Sequence, residues 1–268
     1  MPRRTILIGD LHGCHDEAVE LLDACAASAF DRIIFLGDLV DRGPRSDLCV
    51  DLAMRVEAQQ GLPACVMGNH ERKHLDYEDQ LDASPDPSTR AQRALALEAT
   101  IPRTHLATRR QLRSEHYAYI RGLPLHVRLP EHGAVAVHAG AFPGRPIEEQ
   151  REEHLLHVQM IDPGKHERSA WPSRVPPGED GWRFWTRCWD GPELVVFGHS
   201  VLTRPLITSN VAGIDGGAVF GLSLHALVLP DMRVVSVRGR HDHGQQSRGR
   251  TREPIRLYPV HDDVCTYS

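Results

Sequence analysis

The stretch Gly37-Asp38-Leu39-Val40-Asp41-Arg42-Gly43-Pro44 decides the fold of this chain, because it follows directly after an apolar run at residues 33–36. A short apolar run bounded by turn residues is typical of a buried strand. The Gly-Pro pair closes a turn that carries two carboxylates and an arginine. A strand that ends in a glycine and an exposed carboxylate is well suited to hold a hard cation, because such cations prefer oxygen ligands.

Four other apolar runs end in the same way, with side chains that can bind a metal. The endings are Asp10-Leu11-His12-Gly13, Asn69-His70-Glu71, His138-Ala139-Gly140 and His199-Ser200. Taken alone, each ending has a simpler interpretation: Asn69 could simply be the N-cap of the helix that follows, and a single histidine could be a core residue. Because ligands of open α/β sheets bind at the carboxyl ends of the strands, we expect all five endings to converge on one site.

The residue types at these endings indicate which ions they would hold. The candidate metal ligands are Asp10, His12, Asp38, Asn69, His138 and His199. Carboxylates, imidazoles and an amide together suit two divalent ions of moderate hardness, such as manganese, iron or zinc. Two carboxylates and a hydroxide do not neutralise two such ions, so a net positive centre remains for a phosphate ester dianion. Arg42 would add donors for the phosphate oxygens.

The composition excludes several classes of protein. The chain has 268 residues, of which 41% are hydrophobic, so it is long enough to bury one large core. A formal net charge of -5 argues against nucleic acid as the main partner. The six cysteines include no Cys-x-x-Cys pair, which favours a reduced, cytoplasmic setting. We expect no signal peptide, because the first residues lead straight into a predicted strand, and no membrane partner, because no apolar run approaches the roughly 18 residues of a membrane span.

The order of the predicted elements indicates an α/β fold. Strands at residues 5–10, 32–37 and 64–67 alternate with helices at 16–27 and around 48–56. This alternation is typical of a layered α/β domain. Further strands are expected at 125–129 and 135–137, which would form a hairpin, and at 194–197, 206–208, 224–229 and 234–237.

Two long segments interrupt this alternation. Residues 72–122 are polar and rich in Arg, His and Asp, and we interpret them as an inserted, mostly helical cap. The alternative is a packed helical hairpin without a function. Residues 141–193 form a second insertion, whose tryptophans are expected in the core rather than as a wall of the site. They are Trp171, Trp182, Trp185 and Trp189. The resulting boundaries are a catalytic domain at 1–240 and a polar tail at 241–268.

At these motifs the chain resembles the calcineurin-like metallophosphoesterases, in particular the phosphoprotein phosphatase family. The motifs at Asp10, Asp38 and Asn69 match that family's three N-terminal motifs without a gap. His138-Ala139-Gly140 resembles its His-Gly-Gly element with one conservative change, and His199 matches its last ligand motif. The resemblance covers most of residues 5–240. It implies a central β-sandwich flanked by helices, with the active site at the carboxyl ends of the strands.

The resemblance also implies a role for each candidate ligand. The first metal would take Asp10, His12 and Asp38. The second would take Asp38, Asn69, His138 and His199, so that Asp38 bridges the two ions and Asn69 also faces the substrate. Manganese would be the expected metal, with iron or zinc as alternatives.

For the reaction, the resemblance implies direct hydrolysis by a hydroxide that bridges the two ions, without a phosphorylated residue. Arg42 would bind the phosphoryl oxygens. His70, oriented by Asp41, would protonate the leaving group; the alternative for this pair is a purely structural contact. A second phosphate-binding arginine would be Arg183 or Arg187, and the sequence does not decide between them.

Two substrate classes and one non-enzymatic alternative remain open. A phosphomonoester of a protein (on Ser, Thr or Tyr) or of a small alcohol has a basic leaving group that needs a general acid, so the intact Asp41–His70 pair favours a phosphomonoesterase. The alternative enzyme is a symmetrical diadenosine tetraphosphate hydrolase, because residues 214–221 resemble a bacterial branch that contains such enzymes and the phosphatase module of RNA-repair enzymes. A non-catalytic phosphate-binding protein should have lost a ligand, and this chain keeps all six. Nucleases of the wider superfamily usually carry a second histidine where Val201 stands, and its absence here counts against a nuclease.

Overall fold

Two stacked β-sheets form the centre of the fold. The computed structural model describes residues 3–162, 164, 168–170 and 181–243. One sheet contains β1 (Thr5–Ile8), β2 (Arg32–Phe35), β11 (Ser223–Leu229) and β12 (Arg233–Arg238), in the order β12-β11-β1-β2. The other contains β3 (His126–Leu129), β4 (Ala134–Val137), β8 (Leu194–Phe197), β9 (Leu206–Ile207) and β10 (Val211–Gly213), in the order β3-β4-β8-β10-β9.

Alternation along the strands divides the core into layers. Leu7 of β1 packs between the two sheets, whereas Ile6 and Ile8 face the opposite way, towards the helices α1 (His15–Ala24) and α2 (Ser46–Gln60). Because β1 is buried on both faces, Ile6, Leu7 and Ile8 form a continuous apolar run instead of alternating with polar residues. The layered α/β architecture expected from the sequence is therefore confirmed.

Parallel strands bring the predicted ligands to one edge. β1 pairs in parallel with β2, and β8 pairs in parallel with both β4 and β10. The predicted hairpin is present, since β3 and β4 are antiparallel. The strand predicted at 64–67 is wrong: only an isolated bridge joins Cys65 to Phe35. Only two hydrogen bonds form there, from Phe35 N–H to Ala64 O and from Val66 N–H to Phe35 O, because β2 leaves the extended conformation at Gly37, whose φ is 86°.

The segment interpreted as a cap consists of four helices. They are α3 (Asn69–Asp82), α4 (Pro87–Glu98), α5 (Arg103–Arg109) and α6 (Ser114–Arg121). Its helical character is as predicted, although the first helix begins at Asn69 rather than at residue 72. In α4 no residue is buried, and Asp86 caps the helix by accepting the N–H groups of Ser88 and Thr89. Two residues of α5, in contrast, are buried: His105 and Thr108.

The second insertion packs against the outer face of the β3–β10 sheet. It contains α7 (Glu152–His157) and a small sheet in the order β6-β5-β7, made of β5 (Met160–Asp162), β6 (Arg168–Ala170) and β7 (Arg183–Phe184). Three of its tryptophans are buried as predicted: Trp182, Trp185 and Trp189. Trp185 packs edge-on against Phe197, with ring centroids 4.9 Å apart. Trp171 and the tail beyond residue 243 lie outside the described residues.

None of the described helices is long and apolar enough to cross a membrane. Five cysteines in the described part of the chain are free thiols: Cys14, Cys25, Cys49, Cys65 and Cys188.

Candidate metal centre

Two clusters of potential metal ligands share Asp38 at the carboxyl edge of the strands. Ligand atoms of His12, Asp38 and His70 lie within 4.8 Å of one another, and so do those of Asp38, His138 and His199. One oxygen of the shared carboxylate faces each cluster: Oδ2 lies 3.3 Å from His12 Nε2, and Oδ1 lies 3.5 Å from His138 Nε2. A carboxylate placed in this way can bridge two cations.

The two other predicted ligands contact the same group of side chains. The Asn69 Oδ1 atom lies 3.0 Å from His138 Nε2 and 3.2 Å from His199 Nδ1. The Asp10 carboxylate accepts the backbone N–H of His199 at 3.0 and 3.1 Å. Gly198 is required there, because a Cβ at that position would overlap the Asp10 carboxylate. The structure thus brings all six predicted ligands together, while His70, predicted as an acid, also reaches the first cluster.

The loops that carry these side chains adopt a conformation that is costly for residues other than glycine. Several candidate site residues have φ in the left-handed region: His12 (44°), Asp38 (49°), Asp41 (70°), Arg42 (69°) and His199 (63°). Left-handed non-glycine residues persist only where surrounding contacts hold them, and they cluster at functional sites.

Glu71 supplies much of this support for the loop after β2. Its Oε2 accepts the N–H groups of Asp38 at 2.8 Å and Gly68 at 3.1 Å, and its Oε1 accepts those of Leu39 at 2.8 Å and Val40 at 3.2 Å. The Glu71 side chain is fully buried. The sequence did not reveal this role, since it depends on a contact across more than thirty positions; the only signal was the place of Glu71 in the Asn-His-Glu motif.

The electrostatics of the cluster fit divalent cations. Burial, with the negative charges of Asp215 and Asp38, raises the pKa of Asp10 well above its usual range. Burial also raises the pKa of Asp215, which the sequence analysis missed, to about 6. Burial and the charge of Arg42 lower the pKa of His12, so its imidazole is neutral, as a metal ligand must be. Mutually repelling carboxylates beside neutral imidazoles are the donor set that a pair of divalent cations would stabilise.

Arg42 lies directly against this cluster. Its Nη1 contacts His12 Nε2, and its Nη2 lies 3.0 Å from His70 Nε2. The guanidinium carbon is also 5.7 Å from the centre of the Phe220 ring, which comes from the loop before β11. Arg42 is therefore placed beside the candidate ligands, where its planar fork of donors can meet phosphoryl oxygens.

His70 and Asp41 form the hydrogen-bonded pair expected from the sequence. His70 Nδ1 lies 2.7 Å from Asp41 Oδ2, so Nδ1 carries the proton and Nε2 faces Arg42 and the ligand cluster. Burial lowers the pKa of His70 to about 4, with the charge of Arg42 acting in the same direction and that of Asp38 opposing it. Two more imidazoles contact Asp41, those of His74 and His105, and neither was predicted.

The candidates for a second phosphate-binding cation lie in different places. Arg183 and Arg187 are exposed on β7 and the turn after it, and Arg183 donates to the carbonyl of Trp182 at 3.0 Å. Among the described residues, neither arginine contacts a candidate ligand. Lys73, one turn after His70 on α3, is close enough for its charge to lower the pKa of His70. Lys73 is thus a cation beside the centre that the sequence analysis missed.

Comparisons with known proteins agree on one family. The model of the calcineurin-like phosphoesterase family matches residues 3–203. A Bacillus velezensis protein named bis(5'-nucleosyl)-tetraphosphatase PrpE (asymmetrical) is 27% identical, over 90% of this chain and 98% of that protein. An Anoxybacillus flavithermus protein of the same name is 29% identical, over 86% and 92% of the two chains. A crystal structure of a candidate diadenosine tetraphosphatase superposes with a TM-score of 0.70 at 29% identity, over 89% of this chain and 96% of that chain.

Proposed function

Because the chain belongs to the calcineurin-like phosphoesterase family, we propose that it is a two-metal hydrolase of dinucleoside polyphosphates. The observation that carries the reaction type is the pair of ligand clusters that share Asp38, with Arg42 and His70 beside them. The names of the relatives, which span most of both chains, support the substrate class.

The chain offers a complete ligand set for two ions, for which manganese is our choice. The first ion would be held by Asp10, His12 and Asp38. The second would be held by Asp38, Asn69, His138 and His199. When bound, two divalent ions lower the pKa of a water molecule and neutralise negative charge on the phosphoryl oxygens.

The other side chains of the site bind the substrate and move a proton. Arg42 donates hydrogen bonds to the phosphoryl oxygens, which strengthen as negative charge develops on them. Asp41 holds the Nδ1–H of His70, so that Nε2 faces the leaving oxygen. A phosphate group bound beside Nε2 adds negative charge there, which favours the protonated imidazole that a general acid requires.

A neighbouring cavity supports a nucleotide over a phosphorylated protein. Phe220, whose ring lies beside Arg42, also lines a cavity of about 600 Å³ together with Arg238 and Arg240. The cavity lies at the same edge of the sheet as the ligands, because β11 begins and β12 ends there. The aromatic face of Phe220 offers stacking for a base, and Arg238 offers charge for phosphates, whereas Arg240 is paired with Asp16 and Glu20. The sequence analysis favoured phosphomonoesters, and these observations favour its alternative instead.

The position of cleavage is a separate question. Residues 214–221 resemble a branch with symmetrical enzymes, whereas both relatives named above are called asymmetrical. We choose asymmetric cleavage, since the likeness to these relatives extends over most of the chain. For diadenosine tetraphosphate, asymmetric cleavage yields ATP and AMP, and symmetric cleavage yields two molecules of ADP.

One set of assays tests the proposal. Purified protein with added Mn²⁺ is given diadenosine tetraphosphate, a phosphopeptide or nitrophenyl phosphate, and the nucleotide products are separated by chromatography. We expect kcat/KM for the dinucleotide to exceed the other two by about tenfold or more, a difference of roughly 1.4 kcal/mol in transition-state binding. ATP and AMP should appear in equal amounts. A higher kcat/KM for the phosphopeptide would reject the substrate class, and ADP as the sole product would reject the asymmetric cleavage.

A further inference from the structure

We infer that His74 and His105 are positioning residues for the acid pair: together they hold the Asp41 carboxylate, and through it they orient His70. His105 belongs to α5 of the cap, so the cap forms part of the acid machinery. The inference rests on the proposed function only in that His70 protonates a leaving group. It does not depend on the substrate being a nucleotide.

Asp41 is surrounded by three imidazoles. His70 Nδ1 lies 2.7 Å from Oδ2, His74 Nε2 lies 2.9 Å from Oδ1, and His105 Nδ1 lies 3.4 Å from Oδ2. An ionised carboxylate only accepts hydrogen bonds, so each of these nitrogens carries a proton. Asp41 is 2% exposed, His74 is fully buried and His105 is 5% exposed. The contacts therefore form away from water, where hydrogen bonds to a charged group are strong.

Among the described residues, neither of the two additional histidines has another polar contact that would explain its burial. His74 Nδ1 and His105 Nε2 are buried without a hydrogen-bond partner in the described part of the chain. Their rings stack on each other, with centroids 3.7 Å apart and planes inclined by 6°. Burying a ring nitrogen without a partner costs free energy of folding, so the one hydrogen bond that each ring does make must help to offset that cost. For both rings, that bond is the one to Asp41.

The same three residues could be regarded as a third metal site, because ligand atoms of Asp41, His74 and His105 lie within 4.8 Å of one another. The stacking argues against this interpretation. Metal binding needs nitrogen lone pairs that converge on one point, and nearly parallel stacked rings direct theirs side by side. The cluster is therefore a set of hydrogen-bond donors around one carboxylate.

Helix α5 reaches Asp41 by a second route as well. The backbone N–H of Asp41 donates to Ser46 Oγ at 3.0 Å, and Ser46 Oγ lies 3.4 Å from Thr108 Oγ1. Thr108 follows His105 by three positions, so both lie on the buried face of α5. Because the left-handed backbone of Asp41 must be held by its surroundings, α5 supports both the backbone and the side chain of this residue.

The electrostatics agree with this arrangement. Burial by itself would raise the pKa of Asp41, but hydrogen bonds from His105, His70 and His74 lower it. Two donors beside His70 keep the carboxylate ionised and prevent it from rotating. The direction of His70 Nε2 is then fixed before substrate binds, and this fixed geometry is what an efficient proton donor needs.

The test compares substitutions that keep or remove the donor. His105→Phe keeps the ring stack but removes the N–H, whereas His105→Asn places an amide N–H where Nδ1 was. For His74 the corresponding pair is His74→Phe and His74→Gln, because the glutamine amide reaches the Nε2 position. A matched control is His116→Phe on α6, since His116 is also fully buried and contacts Asp51 at 3.0 Å, away from the site.

The measurement is kcat and KM for phenyl phosphate and nitrophenyl phosphate, at equal metal content. We expect His105→Phe to lower kcat about tenfold or more for phenyl phosphate, whose leaving group is the more basic, and much less for nitrophenyl phosphate. KM should not change, and His105→Asn should recover most of the loss. His74→Phe and His74→Gln should follow the same ranking. His116→Phe should leave kcat for both esters close to that of the wild type.

Several results would overturn the inference. They are equal losses for the two esters, an Asn variant no better than the Phe variant, and loss of a third metal ion per chain in the His74 variants. If His105→Phe does not fold, as judged by its melting temperature and bound metal, Thr108→Val tests the second route with the same two esters. Because aryl esters contain no nucleotide, rejection of the dinucleotide proposal leaves this test intact.

Discussion

The strand-end loops and the cap helices meet at Asp41, and they contribute to the site in different ways. The loops place five of the six candidate ligands within a few residues of a strand end, so their geometry follows from local sequence and parallel pairing; the sixth, Asn69, begins α3. The cap reaches the site through contacts distant in sequence: His105 contacts Asp41 across 64 positions. The cap itself is uneven, because α4 buries no residue whereas α5 buries His105 and Thr108. A site can therefore have ligands that are evident in the sequence and supports that are not.

The largest effect should come from the centre of the loops. Asp38→Asn removes the carboxylate that both ligand clusters share. Loss of an outer-shell partner typically lowers activity about 10–100-fold. Because Asp38 is itself a candidate ligand, we expect a larger effect, close to complete loss of turnover. Metal content measured on the pure variant should fall in parallel. Asp47→Asn, in the first turn of α2, is the control and should keep both metal and activity. Full turnover by chelator-treated, metal-free wild type would contradict the expectation.

The next effect tests the residue at which the loops meet the cap. His70→Asn keeps a donor towards Asp41 but cannot deliver a proton from Nε2. General acid catalysis contributes about 10²–10⁴-fold, so we expect kcat for an alkyl phosphate to fall by that order. Nitrophenyl phosphate and diadenosine tetraphosphate should lose much less, because their leaving groups are weaker bases. The comparison is of kcat for the three substrates at matched metal occupancy; equal losses would mean that His70 does not protonate the leaving group.

The same contrast explains how much of the fold and site could be predicted. The family match confirms the metallophosphoesterase fold and the hydrolase class, which rested on short motifs at strand ends. The hairpin at β3 and β4 followed from local alternation and a turn. The roles of Glu71, His74 and His105 did not, because a sequence does not state which distant helix lies against a given loop. The strand expected at 64–67 failed for the same reason, since its apolar residues are buried by contacts other than a β-ladder.

The substrate could not be deduced from the site residues alone. The Asp41–His70 pair led the sequence analysis to favour phosphomonoesters, but a proton donor does not exclude a leaving group that needs it less. The names of the relatives and the ring of Phe220 beside Arg42 point to the alternative. The catalytic groups indicate which type of bond is cleaved, whereas the residues that line the surrounding pocket indicate which substrate carries that bond.

A moderate effect is expected from Arg42→Ala. Arg42 lies against His12 and His70 but is not a predicted ligand, so the metals should remain bound. Each charge-assisted contact is worth about 1.5–3 kcal/mol, which corresponds to roughly a tenfold to hundredfold loss in kcat/KM. Arg45→Ala, whose partner is the nearby Asp47, is the control and should behave as wild type. Unchanged kcat/KM for any phosphate ester would remove Arg42 from the substrate site.

The smallest effect should come from α4, and it would divide the cap into two parts. None of the residues of α4 is buried, and its exposed apolar residue Leu95 is 70% exposed. Replacing residues 84–100 with a short flexible linker should therefore leave the fold, the metals and the activity on nitrophenyl phosphate nearly unchanged. Because the first helix of the cap begins with Asn69 and His70, the cap emerges beside the metal centre and can limit which large substrates enter. We expect the ratio of phosphopeptide to nitrophenyl phosphate kcat/KM to change by up to about tenfold, roughly 1.4 kcal/mol.

The contrast with α5 makes the result decisive: a loss of both activities in equal proportion, in a variant that is folded and metal-loaded, would mean that α4 only supports α5. An altered ratio with intact chemistry would mean that α4 selects substrates while α5 holds the acid pair.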